Sequence, residues 1–167
     1  MDEEQNEMAR LEAGWRMILV IWGVLFASLG VYLIVCMNIE KSIQINVDPG
    51  FPLKTIRYAL FGVSCITLFV VYYLRKFLMK PNISIANSRQ TSSNQHPAVG
   101  KYTVAIILTS ALLEGIGIYG VILFLLAKDT LSLYQLFIIS AAAMIFFRPR
   151  KEELLHLATQ MNEQRGR

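Results

Sequence analysis

The sequence predicts an all-α integral membrane protein with four transmembrane helices. Of its 167 residues, 54% are hydrophobic and 17% are charged, a composition too apolar for an ordinary soluble domain. Stretches of about 17 to 25 apolar residues are long enough to cross a bilayer as helices. Four such stretches are present, at residues 17–37, 58–74, 102–127 and 131–147.

The distribution of basic residues predicts the orientation of these helices. Twelve of the 16 Lys and Arg residues precede the first stretch, lie between the second and third, or follow the fourth. Basic segments are retained on the cytoplasmic side, so we expect cytoplasmic termini in a multi-pass protein of the cell (inner) membrane. The predicted parts are an acidic cytoplasmic segment (1–14), a transmembrane domain (15–147) and a basic, amphipathic cytoplasmic tail (148–167).

The segments outside the membrane leave alternatives open. Residues 1–14 are typical either of a short helix lying on the membrane or of a solvated tail. The tail at 148–167 has a helical apolar face, which suits a helix at the lipid surface, a docking surface for a partner, or a solvated tail. On the outer side, "IQINV" ahead of a "DPG" turn predicts a small loop containing a strand.

A weak internal repeat connects the two halves of the chain. "YALFGVS" from Tyr58 and "YQLFIIS" from Tyr134 match at four of seven positions, and "LGVY" from Leu29 is similar to "IGIY" from Ile116. Such matches indicate either two copies of a helical hairpin or chance similarity between apolar sequences.

Glu114 is the single charged residue between Tyr102 and Ala127. It lies about twelve residues from either end of that stretch, near the predicted bilayer midplane. A charged side chain at a helix centre costs roughly 2.5 to 3.5 kcal/mol on insertion scales, and apolar surroundings favour the neutral form of a carboxyl. We therefore expect Glu114 to bind a proton; a purely structural hydrogen bond to a neighbouring helix is the alternative.

Small and polar residues surround this acid on the predicted helix. At about 100° per residue, Ser110 and Gly117 share its stripe, so Ser110 is a candidate part of the proton-binding site. Small side chains allow close helix approach. The predicted helix-packing residues are Ala111, Gly115, Gly117 and Gly120.

Residues 95–122 resemble the ion-binding hairpin of the F-type ATP synthase rotor-ring subunit c. "QHP" at 95–97 and "GK" at 100–101 are followed, fourteen residues after Gly100, by Glu114 in "ALLEGIGIYGVI". The resemblance implies that Glu114 is the proton-binding carboxylate and Tyr119 a hydrogen-bonding neighbour. Gln95 replaces the loop arginine of the family, and residues 58–74 contain only Gly62 instead of a glycine repeat, so the resemblance implies a divergent relative.

No motif for catalysis is present in the sequence. His96 and His156 lie in separate segments, and there is no phosphate-binding glycine loop or metal-ligand spacing. We expect no enzyme, no cofactor, no metal and no nucleic-acid partner. Two hypotheses remain: a proton-binding subunit that contacts lipid and forms a homo-oligomer or part of a membrane complex, or an assembly or accessory protein that binds a partner through its cytoplasmic tails.

Overall fold

A computed structural model describes residues 2–40, 52–80 and 97–165, and in these residues the chain is helical, without strands. The prediction of an all-α protein is confirmed. The predicted outer-loop strand falls outside the described residues. The five helices are α1 (Asp2–Glu40), α2 (Leu53–Leu78), α3 (Pro97–Ala127), α4 (Thr130–Phe146) and α5 (Lys151–Arg165).

Three helices are long and apolar enough to cross a membrane by themselves. These are α1, α2 and α3, whereas α4 passes the same test only together with α5, from which it is bent by 50°. The structure therefore supports three to four membrane spans. Large apolar side chains on the outside of the bundle, such as Val24, Phe69 and Ile138, are 64 to 69% exposed, as expected where lipid replaces water around a protein.

Helix ends follow local chemistry. The acidic residues 2–14 continue into α1 without a break, instead of forming a separate helix or a solvated tail. Helix α3 begins at Pro97, which suits a first helical turn because proline lacks the N–H that is unpaired there. It ends at Ala127, because the next residue, Lys128, has a φ of 52° outside the helical region. The Asp129 carboxylate caps α4 by accepting from Ser132 N at 3.2 Å.

Helix α3 is the centre of the bundle. It contacts each of the other four described helices, while α1 and α2 do not contact each other. The two-residue connection between α3 and α4 makes them antiparallel neighbours. The two predicted hairpins are therefore not both packed in the described residues, because α3 contacts α4 but α1 does not contact α2.

Polar contacts occur at both ends of the bundle. At the end we call the Asp129 end, Arg57 pairs with Asp129 and the Lys128 amine donates to the Glu40 carbonyl at 3.2 Å. At the other end, which we call the α5 end, Arg75 of α2 pairs with Glu153 of α5. These ion pairs and hydrogen bonds thus hold the helices together at opposite ends of the apolar bundle.

The apolar face of α5 is covered by the chain itself. Leu154, Leu157 and Ala158 pack against α1 and α3 in a second core around Ile18 and Tyr102. The Tyr102 side chain is fully buried in this core. The tail helix is therefore part of the folded bundle, and its apolar side is occupied.

Candidate functional site

Glu114 lies where α1 and α3 pack together. The close approach depends on Gly117, one turn along α3, because a Cβ added there would come within 2.6 Å of Leu29 Cδ2 of α1. The side chains of Leu29, Leu113 and Ile116 are buried around this contact. Glu114 itself is half-buried, so it occupies the edge of the α1–α3 seam.

Two hydroxyl groups of α1 surround the carboxyl group. Ser28 Oγ lies 2.5 Å from Glu114 Oε1, and the Tyr32 phenol, one turn further along α1, lies against the same carboxyl group. Within the described residues no Lys, Arg or His forms an ion pair with Glu114. Its polar neighbours are thus hydroxyls, which are compatible with a neutral acid.

The number of hydrogens at Ser28 bears on the state of Glu114. Ser28 Oγ is also 2.7 Å from the Leu25 carbonyl oxygen, and a serine hydroxyl has one hydrogen to donate. If Glu114 is ionised, both neighbouring oxygens are acceptors and only one contact is a full hydrogen bond. If Glu114 is protonated, its own O–H donates to Ser28 Oγ while Ser28 donates to Leu25. The protonated carboxyl satisfies both short contacts.

The other predicted site residues occupy different positions. Ser110 is buried on α3, one turn before Glu114. Tyr119 packs against the apolar core, and its hydroxyl has no hydrogen-bond partner among the described residues. The structure therefore places α1 hydroxyls at Glu114, and does not bring Tyr119 to it.

The four small residues divide into two pairs. A Cβ at Gly120 would lie 3.1 Å from the Leu133 carbonyl oxygen of α4, so Gly117 and Gly120 make room for α1 and α4 respectively. Gly115 has nothing within 4 Å of an added Cβ, and Ala111 is exposed. The Ala111–Gly115 pair faces away from the other helices of the chain.

Ser28 and Tyr32 were missed in the sequence reasoning, although they carry a usable signal. They are one turn apart, near the middle of the stretch 17–37, where few other side chains have polar groups. Hydroxyls at the same depth as an intramembrane acid are its natural partners. A comparison of the depths of polar residues in the predicted membrane spans would have identified Ser28 and Tyr32 as neighbours of Glu114.

No family model, curated protein or solved structure matches this sequence. Functional assignment depends on the chemistry of the site. In the described residues no cluster of His, Cys, Asp and Glu is arranged to hold a metal ion. The group available for chemistry at this site is the Glu114 carboxyl, which is hydrogen-bonded to the Ser28 hydroxyl.

A second polar cluster lies at the α5 end. Arg75 is buried, and its guanidinium donates to the Phe147 and Arg148 carbonyls and to Glu153 Oε2. The Tyr102 hydroxyl accepts from Arg150 N at 2.9 Å and donates toward Glu153 Oε2 at 3.0 Å. These contacts fix the backbone of the α4–α5 connection, residues 147–150.

Proposed function

We propose that the protein binds a proton at Glu114 and takes part in proton translocation across the cell membrane. The observation that carries this proposal is the pair of short contacts at Ser28, 2.5 Å to Glu114 and 2.7 Å to the Leu25 carbonyl, which a protonated carboxyl satisfies together. The half-buried position of Glu114 supports proton exchange, since one side of the group is open at the bundle surface.

The proposal includes an arrangement in the membrane. We place both termini in the cytoplasm, because twelve of the 16 basic residues lie in the segments assigned to that side. The resemblance of residues 95–122 to the rotor-ring subunit c hairpin supports a divergent relative of those proteolipids, acting as a homo-oligomer or within a membrane complex. In such a homo-oligomer, neighbouring copies of the chain would contact each other near the exposed side of Glu114.

Replacement of the acid tests this function. Glu114→Gln keeps the size and hydrogen bonding of the side chain but removes the titrating group, so proton flux through protein reconstituted in liposomes should be abolished. Labelling by a carboxyl-reactive carbodiimide should also be lost. Glu163→Gln, the same change at an exposed position of α5, is the matched control and should leave both measurements unchanged.

Two results would contradict the proposal. One is proton flux in the Glu114→Gln protein equal to that of the wild type. The other is absence of flux in wild-type liposomes, together with carbodiimide labelling that Glu114→Gln does not reduce. Circular dichroism of each variant in detergent checks that its helical content is retained, so a loss of flux is assigned to the missing acid.

A further inference from the structure

A cavity at the α5 end combines cationic and aromatic side chains. Its volume is about 530 Å³, and it lies between α1 and the α4–α5 connection. Trp15, Leu19 and Trp22 line one side; residues 148–150 and Glu152 line the other. The cavity is separate from Glu114, which none of its lining residues contacts.

The arginines of this cavity are available to a ligand. Arg148 and Arg150 have exposed side chains, and neither guanidinium has a hydrogen bond or ion pair within the part of the chain described. Their backbone is nevertheless fixed, because Arg75 binds the Arg148 carbonyl and Tyr102 binds Arg150. A rigid backbone with two unpaired guanidiniums is suited to an anion, and bidentate binding of phosphate is typical of arginine.

Other features of the cavity also favour an anion. Helix α5 begins at Lys151, so the partial positive charge of its N-terminus lies beside the two arginines. Glu152 is the single acid in the lining, which leaves the cations in excess.

The surface of α1 beside the cavity is apolar, which favours a ligand that has an apolar part. Leu19 lines the cavity and is 40% exposed, so an exposed apolar surface of α1 adjoins the two arginines. An acyl chain leaving the cavity would lie on this surface, whereas a soluble phosphate would leave it uncovered. Basic pockets between membrane helices are typical sites for anionic lipid head groups.

We propose that this cavity binds an anionic phospholipid. The head-group phosphate lies between the Arg148 and Arg150 guanidiniums, and an acyl chain lies along Leu19 of α1. The site is independent of proton binding at Glu114, so Glu114→Gln leaves it intact. It requires only that the α5 end of the bundle meets a membrane surface.

The two tryptophans make the site directly measurable. The chain has only Trp15 and Trp22, and both line the cavity, so all of its tryptophan fluorescence originates there. The full-length protein is placed in mixed vesicles, and quenching by phosphatidylglycerol with brominated acyl chains is compared with quenching by brominated phosphatidylcholine. We expect the anionic lipid to quench at a lower mole fraction, by roughly fivefold for each arginine involved.

Paired substitutions identify the cations responsible. Arg148→Gln with Arg150→Gln should remove the preference for the anionic lipid while quenching by phosphatidylcholine is retained. Lys54→Gln with Lys80→Gln changes the net charge equally at exposed lysines outside the cavity and should retain the preference. If the double glutamine variant does not fold, Arg148→Lys with Arg150→Lys keeps the charge and should reduce the preference only partly.

Three outcomes would overturn the proposal. The first is equal quenching of the wild-type protein by the two lipids. The second is an unchanged preference when both arginines are replaced. The third uses glycerol 3-phosphate at constant ionic strength: a change of tryptophan fluorescence caused by this soluble phosphate in a protein that shows no preference for the anionic lipid would show that the cavity takes a free phosphate compound instead of a lipid.

Discussion

At the scale of the residue, hydrogen-bond energies support the proposal that Glu114 is neutral. An ionised side chain at a helix centre costs roughly 2.5 to 3.5 kcal/mol, whereas hydrogen bonds between membrane helices contribute about 0.6 kcal/mol on average. The hydrogen bond between Ser28 and Glu114 does not offset the cost of the charge. The same bond is sufficient for a protonated carboxyl, which has much less to compensate. Under the proposal, Ser28 holds Glu114 in place without fixing it as an ion.

The Ser28–Glu114 contact should be measurable as a coupling energy. Ser28→Ala removes the hydroxyl next to Glu114 Oε1 and should lower stability by about 0.6 to 1.7 kcal/mol, which are the average and the largest values found for interhelical bonds in membranes. In a Glu114→Leu background the same change should cost little, because the partner is gone. Reversible unfolding in detergent gives the four free energies of the cycle; equal costs of Ser28→Ala in both backgrounds would show that the contact contributes nothing.

The glycines of α3 should respond differently to a methyl group. Gly115→Ala meets open space and should be neutral or stabilising, since alanine is favoured over glycine in helices by about 1 kcal/mol. Gly120→Ala places its Cβ 3.1 Å from the Leu133 carbonyl and 3.3 Å from the Leu133 Cα, so the α4 backbone must shift. We expect a lower melting temperature for Gly120→Ala than for Gly115→Ala. The reverse order would contradict the observed packing of α3 on α4.

At the scale of the element, α5 is attached to the bundle by a few specific bonds as well as by apolar packing. Arg75 and Tyr102 reach it from α2 and α3, and both bind Glu153. A buried donor left without a partner costs about 1 to 3 kcal/mol. The position of α5 therefore depends strongly on two side chains that are distant from it in sequence.

Removal of one hydroxyl should loosen this attachment. Tyr102→Phe keeps the ring in the core but leaves Arg150 N–H without its acceptor. Amide hydrogen exchange in residues 150–165 should accelerate by roughly fivefold to a hundredfold, given the cost of about 1 to 3 kcal/mol for such a group. Tyr73→Phe, at an exposed position, is the control. Unchanged exchange in α5 would mean that apolar packing alone holds the helix.

At the scale of the whole molecule, one long apolar bundle is closed at its two ends by polar contacts. Arg57 binds Asp129 at one end and Arg75 binds Glu153 at the other, so both ends of α2 are connected to the rest of the chain by charge. Burial by itself would raise the pKa of Asp129. Hydrogen bonds from Ser132 and Arg57, together with the charge of Arg57, outweigh it and hold this pKa below its ordinary value.

The lowered pKa of Asp129 predicts a pH dependence of stability. The ionised form is favoured by folding, so its contribution is present above the pKa of the unfolded chain, about 3.9, and is lost as the pH falls through the lower pKa of the folded state. Asp129→Asn retains the helix-capping ability of the side chain but not the charge. The difference in melting temperature between wild type and variant should be constant from pH 7 to about pH 5 and should shrink below about pH 4. A difference that is independent of pH would contradict the role of the charge.

Much of the helical layout was predictable from hydropathy. The four predicted stretches lie within α1 to α4, except that Phe147 falls one residue after α4. The helices extend further because hydropathy detects only their apolar portion: α1 includes the acidic residues 2–14, which favour helix but not lipid. The packing of side chains was harder to predict from the sequence. The burial of Tyr102, for example, depends on contacts with Arg150 and Glu153, about fifty residues away in sequence.

The candidate site was predictable in part. Glu114 was identified because a carboxyl group in an apolar run is costly, and that reasoning needs no structure. Its partners Ser28 and Tyr32 lie more than eighty residues earlier, and their pairing with Glu114 depends on how α1 is rotated against α3. Helical periodicity fixes which residues share a face of one helix, but not which face of another helix lies opposite.

The length of α1 has a practical consequence. Its 39 residues extend about 58 Å at the usual helical rise, whereas a bilayer with its head groups is about 40 to 45 Å thick. Under the proposed membrane arrangement, the polar first turns of α1 therefore extend beyond the lipid as a rigid helix. A fluorophore attached at Gln5 would then be held at a fixed height above the membrane plane. The efficiency of energy transfer to labelled lipids would report the distance between Gln5 and the lipid surface.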